Sequence, residues 1–166
     1  MFLSRVFTLY PDYFPGYLDK GLFGKSKGKE WNLEIINIRD YALDKHKTVD
    51  DTPYGGGNGM IMKADVLASS LDANVKSGEK TIYLSPRGKV FNSKLAREFS
   101  NENSINLICG HFEGVDERIL ESRNIEEISI GDFILSGGEV AAFVVIDSIL
   151  RFIPGILGNL LSLIHI

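Results

Sequence analysis

One cysteine, one tryptophan and five prolines in 166 residues leave several architectures without their raw material. A lone Cys109 cannot form an intramolecular disulfide, so a small stapled fold is excluded and a reducing, cytoplasmic setting is expected. The histidines His46, His111 and His165 are scattered, and only His111 stands near Cys109, which argues against a structural zinc site. Basic residues do not predominate: 18 Lys and Arg against 22 Asp and Glu give a formal charge of −4. That balance excludes a general nucleic-acid coat but permits an enzyme with a local basic patch. The chain is 44% hydrophobic and 24% charged, an ordinary globular composition, with no repeat, low-complexity tract or linker. Its length suits one domain that buries its own core.

Neither end has the form of a targeting or membrane segment. The apolar start, Met1 to Tyr10, is interrupted by Arg5 and followed by Pro11 and Asp12, so a buried first strand is expected instead of a signal peptide. The stretch from Val140 to Ile166 is apolar for long enough to span a bilayer, but Asp147, Arg151 and Pro154 fall inside it. Asp147 and Arg151 are four apart and able to pair on one helix face. A soluble, core-forming helix is the expectation.

Along the chain, short apolar runs alternate with helical patterns and glycine-bearing turns. Strands are expected at 5–10, 33–38, 81–84, 105–109 and 126–130, where β-branched residues favour a pleated surface. Helices are expected from Pro11, over 63–75, over 92–99 with Asn92 or Ser93 as cap, over 116–122, and from Glu139 to about Ile153. Residues 21–29, rich in Gly and Lys, read as a loop. The alternation predicts an α/β fold with a mainly parallel sheet and flanking helices.

Three glycine-bearing loops each follow a strand: Ser85-Pro86-Arg87-Gly88, Gly110 to Gly114, and Gly131 to Gly138. Any one is most simply a tight turn. Together at one sheet edge they suggest a shared pocket, because ligands gather beyond the carboxyl ends of parallel strands. The segment Pro53 to Met60 lacks the Gly-Lys-Ser/Thr of a phosphate loop and the third glycine of a dinucleotide loop, leaving a flexible loop over a site. His111 reads as a loop histidine or a general base, and Cys109 as a buried, inert thiol. Basic residues cluster at 20–29 and 39–47, either as solvated surface or as a phosphate-binding patch.

Four longer strings carry a resemblance. They are HKTVDDTPYGGGNGM at 46–60, YLSP at 83–86, GHFEGVDER at 110–118 and SIGDFILSGGE at 129–139, extended by RFIPGILG at 151–158. In this order they resemble the bacterial tRNA (guanine-N1)-methyltransferases of the SPOUT superfamily, which modify the guanine 3′ to the anticodon (nucleotide 37). The resemblance runs from the first strand to about Asn159. It implies a SPOUT-type α/β domain over 1–158 with a deep C-terminal trefoil knot, working as a homodimer on tRNA, with S-adenosylmethionine as cofactor.

By residue, the resemblance implies a cofactor site of Tyr83, Leu84, Ser85 and Pro86, of Gly110, Phe112, Glu113 and Gly114, and of Ser129, Ile130, Gly131, Phe133, Leu135, Gly137 and Gly138. It implies that Arg151 and Glu113 are catalytic, with Mg2+ near Glu113. His46, Lys47, Asp50, Gly55, Gly57 and Gly59 would contact tRNA. After Gly158 the family continues through an acidic linker, carrying a general-base Asp, into a helical tRNA-gripping domain. Here 159–166 read NLLSLIHI, an apolar tail in which His165 is a conceivable base. Two readings follow: a methyltransferase, or an impaired dimeric module that binds S-adenosylmethionine without transferring its methyl group.

Overall fold

A computed structural model of the chain describes residues 1–53 and 55–158. Its centre is a five-stranded, all-parallel sheet in the order β2 (Trp31–Asn37), β1 (Phe2–Thr8), β6 (Ser104–Cys109), β5 (Lys80–Val90), β7 (Glu126–Ser129). A short antiparallel pair, β3 (Asp50–Asp51) with β4 (Ile61–Met62), stands apart. Helices α1 (Gly21–Ser26), α2 (Ala64–Asn74), α3 (Ser93–Ser100), α4 (Glu117–Ser122) and α5 (Glu139–Leu150) supply most of the connections.

Alternation along the strands divides the core between the two faces. Phe2, Val6, Ile82, Leu84, Ile105 and Leu107 pack with α3 and α5, while Phe7, Tyr83 and Ile108 pack with α2 and α4. Helix α5 buries Ala141, Ala142, Val145, Ile146, Ile149 and Leu150, so its apolar sequence is core. Among the described residues no helix is long and apolar enough to cross a membrane.

The sequence places the elements well but errs at three boundaries. The first strand runs over Phe2–Thr8 instead of 5–10. Residues 21–26 form a helix instead of a loop: the Trp31 indole donates to the Phe23 carbonyl at 3.0 Å, and the Ser26 hydroxyl donates to the Leu22 carbonyl at 2.8 Å. Burial of Trp31 thus outweighs the low helix propensity of Gly21 and Gly24. Strand β5 continues past Leu84 to Val90, with a register irregularity between Leu84 and Lys89. Ser85 to Gly88 is a bulge inside a strand, not the turn that ends one. Expectations for 159–166, His165 among them, fall outside the described residues.

A charged cluster crosses the sheet beneath the α2–α4 face. Arg5, 5% exposed, donates to Glu34, Glu79 and Asn106 at 2.7–2.9 Å. Burial raises the Glu79 carboxyl, but hydrogen bonds from the Lys76 backbone, Ser104, Asn106 and Arg5 outweigh it and hold the group below its ordinary value. A depressed carboxyl contributes stability above its unfolded pKa, and that contribution is lost as pH falls through the folded one. Glu79→Gln should therefore lower stability by about 2–3 kcal/mol at neutral pH, because Arg5 stays buried without one of its anions. The deficit should shrink in acid, below the ordinary carboxylate range. A deficit unchanged from pH 7 to pH 3 in denaturant titrations would contradict this account.

Candidate active site

The carboxyl ends of β6 and β7 and the bulge of β5 open onto one cleft of about 320 Å3. Its geometry follows from the strand order: the chain leaves β6, forms β7 on the far side of β5, and returns across all three strand ends before entering α5. The return is close. The Gly138 N–H donates to the Gly110 carbonyl at 3.0 Å, and a Cβ on Gly138 would lie 2.7 Å from the Cys109 Cα. Only glycine fits there, since no side-chain atom can be placed against backbone at that distance.

Local hydrogen bonds set the other walls. The buried Ser129 hydroxyl donates to the Gly131 carbonyl at 2.9 Å and accepts the Gly131 N–H at 3.2 Å, turning the chain sharply after β7. Ser85, also buried, accepts the Arg87 N–H at 3.2 Å within the β5 bulge. Tyr83 rises through the floor, its hydroxyl against Gly110 and Gly114; burial, and then the negative charge of Glu127, push its phenol up. Phe112, Phe133 and Leu135 remain exposed at the mouth. An apolar lining with exposed loop backbone is the usual make-up of a small-molecule site.

Every residue assigned above to the cofactor lines this cleft: the 83–86 group, the 110–114 group and the 129–138 group. Arg87, His111, Ile134 and Ser136, which belong to the three loops but were not assigned to the cofactor, line it too, as does Ala141, which lies beyond those loops in the sequence. Cys109 is fully buried beneath it, and burial, then the Glu139 charge, push its thiol up, as suits an inert residue.

The residues assigned to tRNA lie beside the cleft. Asp50 pairs with Met62 in the β3–β4 ladder, and the 55–59 turn carries Gly55, Gly57 and Gly59 at φ +83°, +123° and +86°. This segment is fastened to the cleft. Glu113 N–H donates to the Met60 carbonyl at 2.8 Å, Met62 N–H donates to the Gly114 carbonyl at 2.9 Å, and the Glu113 side chain lies against Gly59. His46 and Lys47 are exposed. Part of the basic patch is already engaged: Lys27 pairs with Asp19 at 3.1 Å, and Arg39 donates to the Leu9 carbonyl at 3.4 Å. Asp116 caps α4, where hydrogen bonds from the Arg118 side chain and then its backbone pull the carboxyl down to about 2.

Arg151 is the outlier. It caps the far end of α5, whose first turn borders the cleft, so it stands roughly 20 Å away along the helix axis. Asp147, its expected partner, accepts the Tyr17 hydroxyl at 2.7 Å.

A family model described as tRNA (Guanine-1)-methyltransferase TrmD matches residues 2–165. The chain belongs to this family. A relative from Pelagibacter ubique named tRNA (guanine-N(1)-)-methyltransferase is 66% identical over 160 residues, covering 96% of this chain and 70% of the relative. Relatives of the same name from Bartonella henselae and Rhizobium etli are 53% and 48% identical. They are matched over 97% and 99% of this chain, and over 69% and 71% of their own lengths. Three of the family's strings in this chain, at 83–86, 110–118 and 129–139, also supply the three walls of one cleft.

Gly138→Val should close the cleft and destabilise the fold by more than about 2 kcal/mol, since the neighbour it meets is backbone. Gly158→Ala, which meets nothing within 4 Å, is the control and should be near neutral. Equal melting temperatures for both variants would refute the close approach.

Proposed function

We propose that the chain transfers the methyl group of S-adenosylmethionine to N1 of the guanine 3′ to the anticodon of tRNA (nucleotide 37), as a cytoplasmic homodimer. The observation that carries this reading is the convergence of the three loops on one cleft beside the β3–β4 segment. Residues 1–158 act as one methyltransferase unit. The family resemblance implies a deep C-terminal trefoil knot within this unit.

S-adenosylmethionine fits the cleft on two counts: glycines whose Cβ would collide with the walls, and apolar side chains left exposed at the mouth. Ile130, Phe133 and Leu135 supply apolar contact, and the loop backbone not already bonded within the walls meets its polar edges. Bound there, it supplies a methyl carbon made electrophilic by the adjacent sulfonium. Glu113 is the one carboxylate lining the cleft among the described residues, and it adjoins Gly59. We assign it to the N1–H edge of the guanine, which must lose a proton. His46, Lys47 and the 50–59 segment face the RNA around it. Among the described residues no group of three or more His, Cys, Asp or Glu stands together, so a Mg2+ ion at the cleft would take Glu113 as its protein carboxylate and water or substrate for the rest, and no step is assigned to it.

Charge developing on guanine O6 calls for a fixed cation, and a guanidinium suits it. Arg151 cannot serve its own cleft across the length of α5. A second copy can supply it. Val140 and Val144 leave 57% and 41% of their surface exposed on one face of α5, and that face leads from the cleft to Arg151. Packing two such faces antiparallel sets each Arg151 beside the other copy's cleft.

Transfer of labelled methyl groups to a tRNA transcript with guanine after the anticodon, and none when adenine replaces it, is the expected result. Cofactor binding without any transfer would leave only the binding-module reading. Arg151→Ala and Glu113→Ala should each lower kcat by roughly 100-fold or more, within the range for an electrostatic group in a site. Mixing the two inactive variants should restore activity, because one hybrid site then holds both side chains. Continued inactivity of the mixture, with dimer exchange demonstrated, would mean that Arg151 does not act across the interface.

A further inference from the structure

Glu139 is 3% exposed at the first position of α5, and its neighbours account for that burial. The His111 Nε2 lies 2.8 and 2.7 Å from its two carboxylate oxygens. Thr8, at the end of β1, donates its hydroxyl to Oε1 at 2.7 Å and accepts the Tyr10 N–H at 2.9 Å. The donors run in one direction, from the Tyr10 backbone through Thr8 to the carboxylate, with the imidazole N–H arriving from the other side. A carboxylate in the first turn also faces the positive end of a twelve-residue helix.

The imidazole is held on the sides away from the cleft. The Tyr10 ring lies over it at 4.8 Å between centroids, Phe112 meets it edge-on at 6.4 Å, and a Cβ on Gly137 would collide with it. It therefore has little freedom, and the same glycine wall that borders the cleft is what leaves it room. His111 belongs to the turn after β6, and Glu139 follows directly on Gly137 and Gly138. The pair thus joins the two facing walls of the cleft, 110–114 and 137–138, and ties both to β1.

We propose that His111 and Glu139 form a positioning pair that sets the separation of these walls, and through it the affinity for S-adenosylmethionine. This rests on the cofactor reading given under Proposed function. His111 need not touch the reacting atoms; it holds the backbone that does. Hydrogen bonds to a buried charge are among the stronger ones in proteins, and losing one leaves the carboxylate short of a partner.

The test is calorimetric titration of the full chain with S-adenosylmethionine, paired with methyl-transfer kinetics on tRNA. Gln places an amide nitrogen near the position of Nε2, whereas Asn stops short of it, with little difference in bulk. H111Q should bind the cofactor within about threefold of wild type, and H111N and H111A at least tenfold more weakly. The loss should appear in KM for the cofactor, with kcat recovering at saturation, and H111N should melt below H111Q because it leaves the buried carboxylate short of a donor. If H111A fails to fold, the comparison of H111Q with H111N still decides. Equal affinity in H111Q and H111N would overturn the proposal. So would a loss confined to kcat, which would place His111 in the chemical step. Absence of binding by the wild type would instead defeat the cofactor reading itself.

Discussion

The approach of Gly138 to the backbone of Cys109 and Gly110 is the constraint on which the rest of the site depends. One hydrogen bond and the absence of one side chain bring the returning chain down onto the strand ends. Helix α5 then begins at the floor of the cleft and buries its inner face along the sheet. Were this contact a methyl group wider, the 129–138 wall would stand away from the 110–114 wall, and Glu139 would leave the reach of His111 and Thr8.

Around that contact the molecule separates stability from recognition. The body of the sheet, away from the cleft loops, carries the Arg5, Glu34, Glu79 and Asn106 cluster, where the buried Arg5 is paired with two carboxylates. The carboxyl ends carry turns whose polar groups are backbone and whose exposed side chains are apolar. In a parallel sheet every strand points the same way, so one edge collects all the loops that precede helices. The β3–β4 segment extends that edge sideways, and its bonds to Glu113 and Gly114 make it a continuation of the cleft wall.

Much of this was legible in the sequence, for physical reasons. The strand at 105–109 is a short apolar run closed by Gly110, the one at 126–129 is marked by Ile128 and the Gly131 turn beyond it, and the helix over 93–100 has its Asn92 cap in plain sight, accepting the Leu95 N–H at 2.9 Å. The resemblance of four strings to one family named the cleft residues before any of them could be seen to meet. What stayed hidden depended on tertiary contact. Helix α1 forms because Trp31 and Phe23 find each other, against the preference of its glycines. The β5 bulge shows only in the pairing of Lys89 and Val90 with β7. The His111, Glu139 and Thr8 cluster joins residues from three separate segments, and nothing in the neighbours of a lone Glu says that it will be buried.

The strand order also bears on how the protein comes to its native state. Leu3 is paired with Ser104, and the cleft is walled by segments that do not meet until β5, β6 and β7 lie side by side. Contacts so distant along the chain carry a large closure entropy and form slowly. The cleft is whole only when the chain has passed back from β7 to Gly110 and into α5. A small molecule held there would bind only the finished form, and would shift the folding equilibrium toward it by mass action.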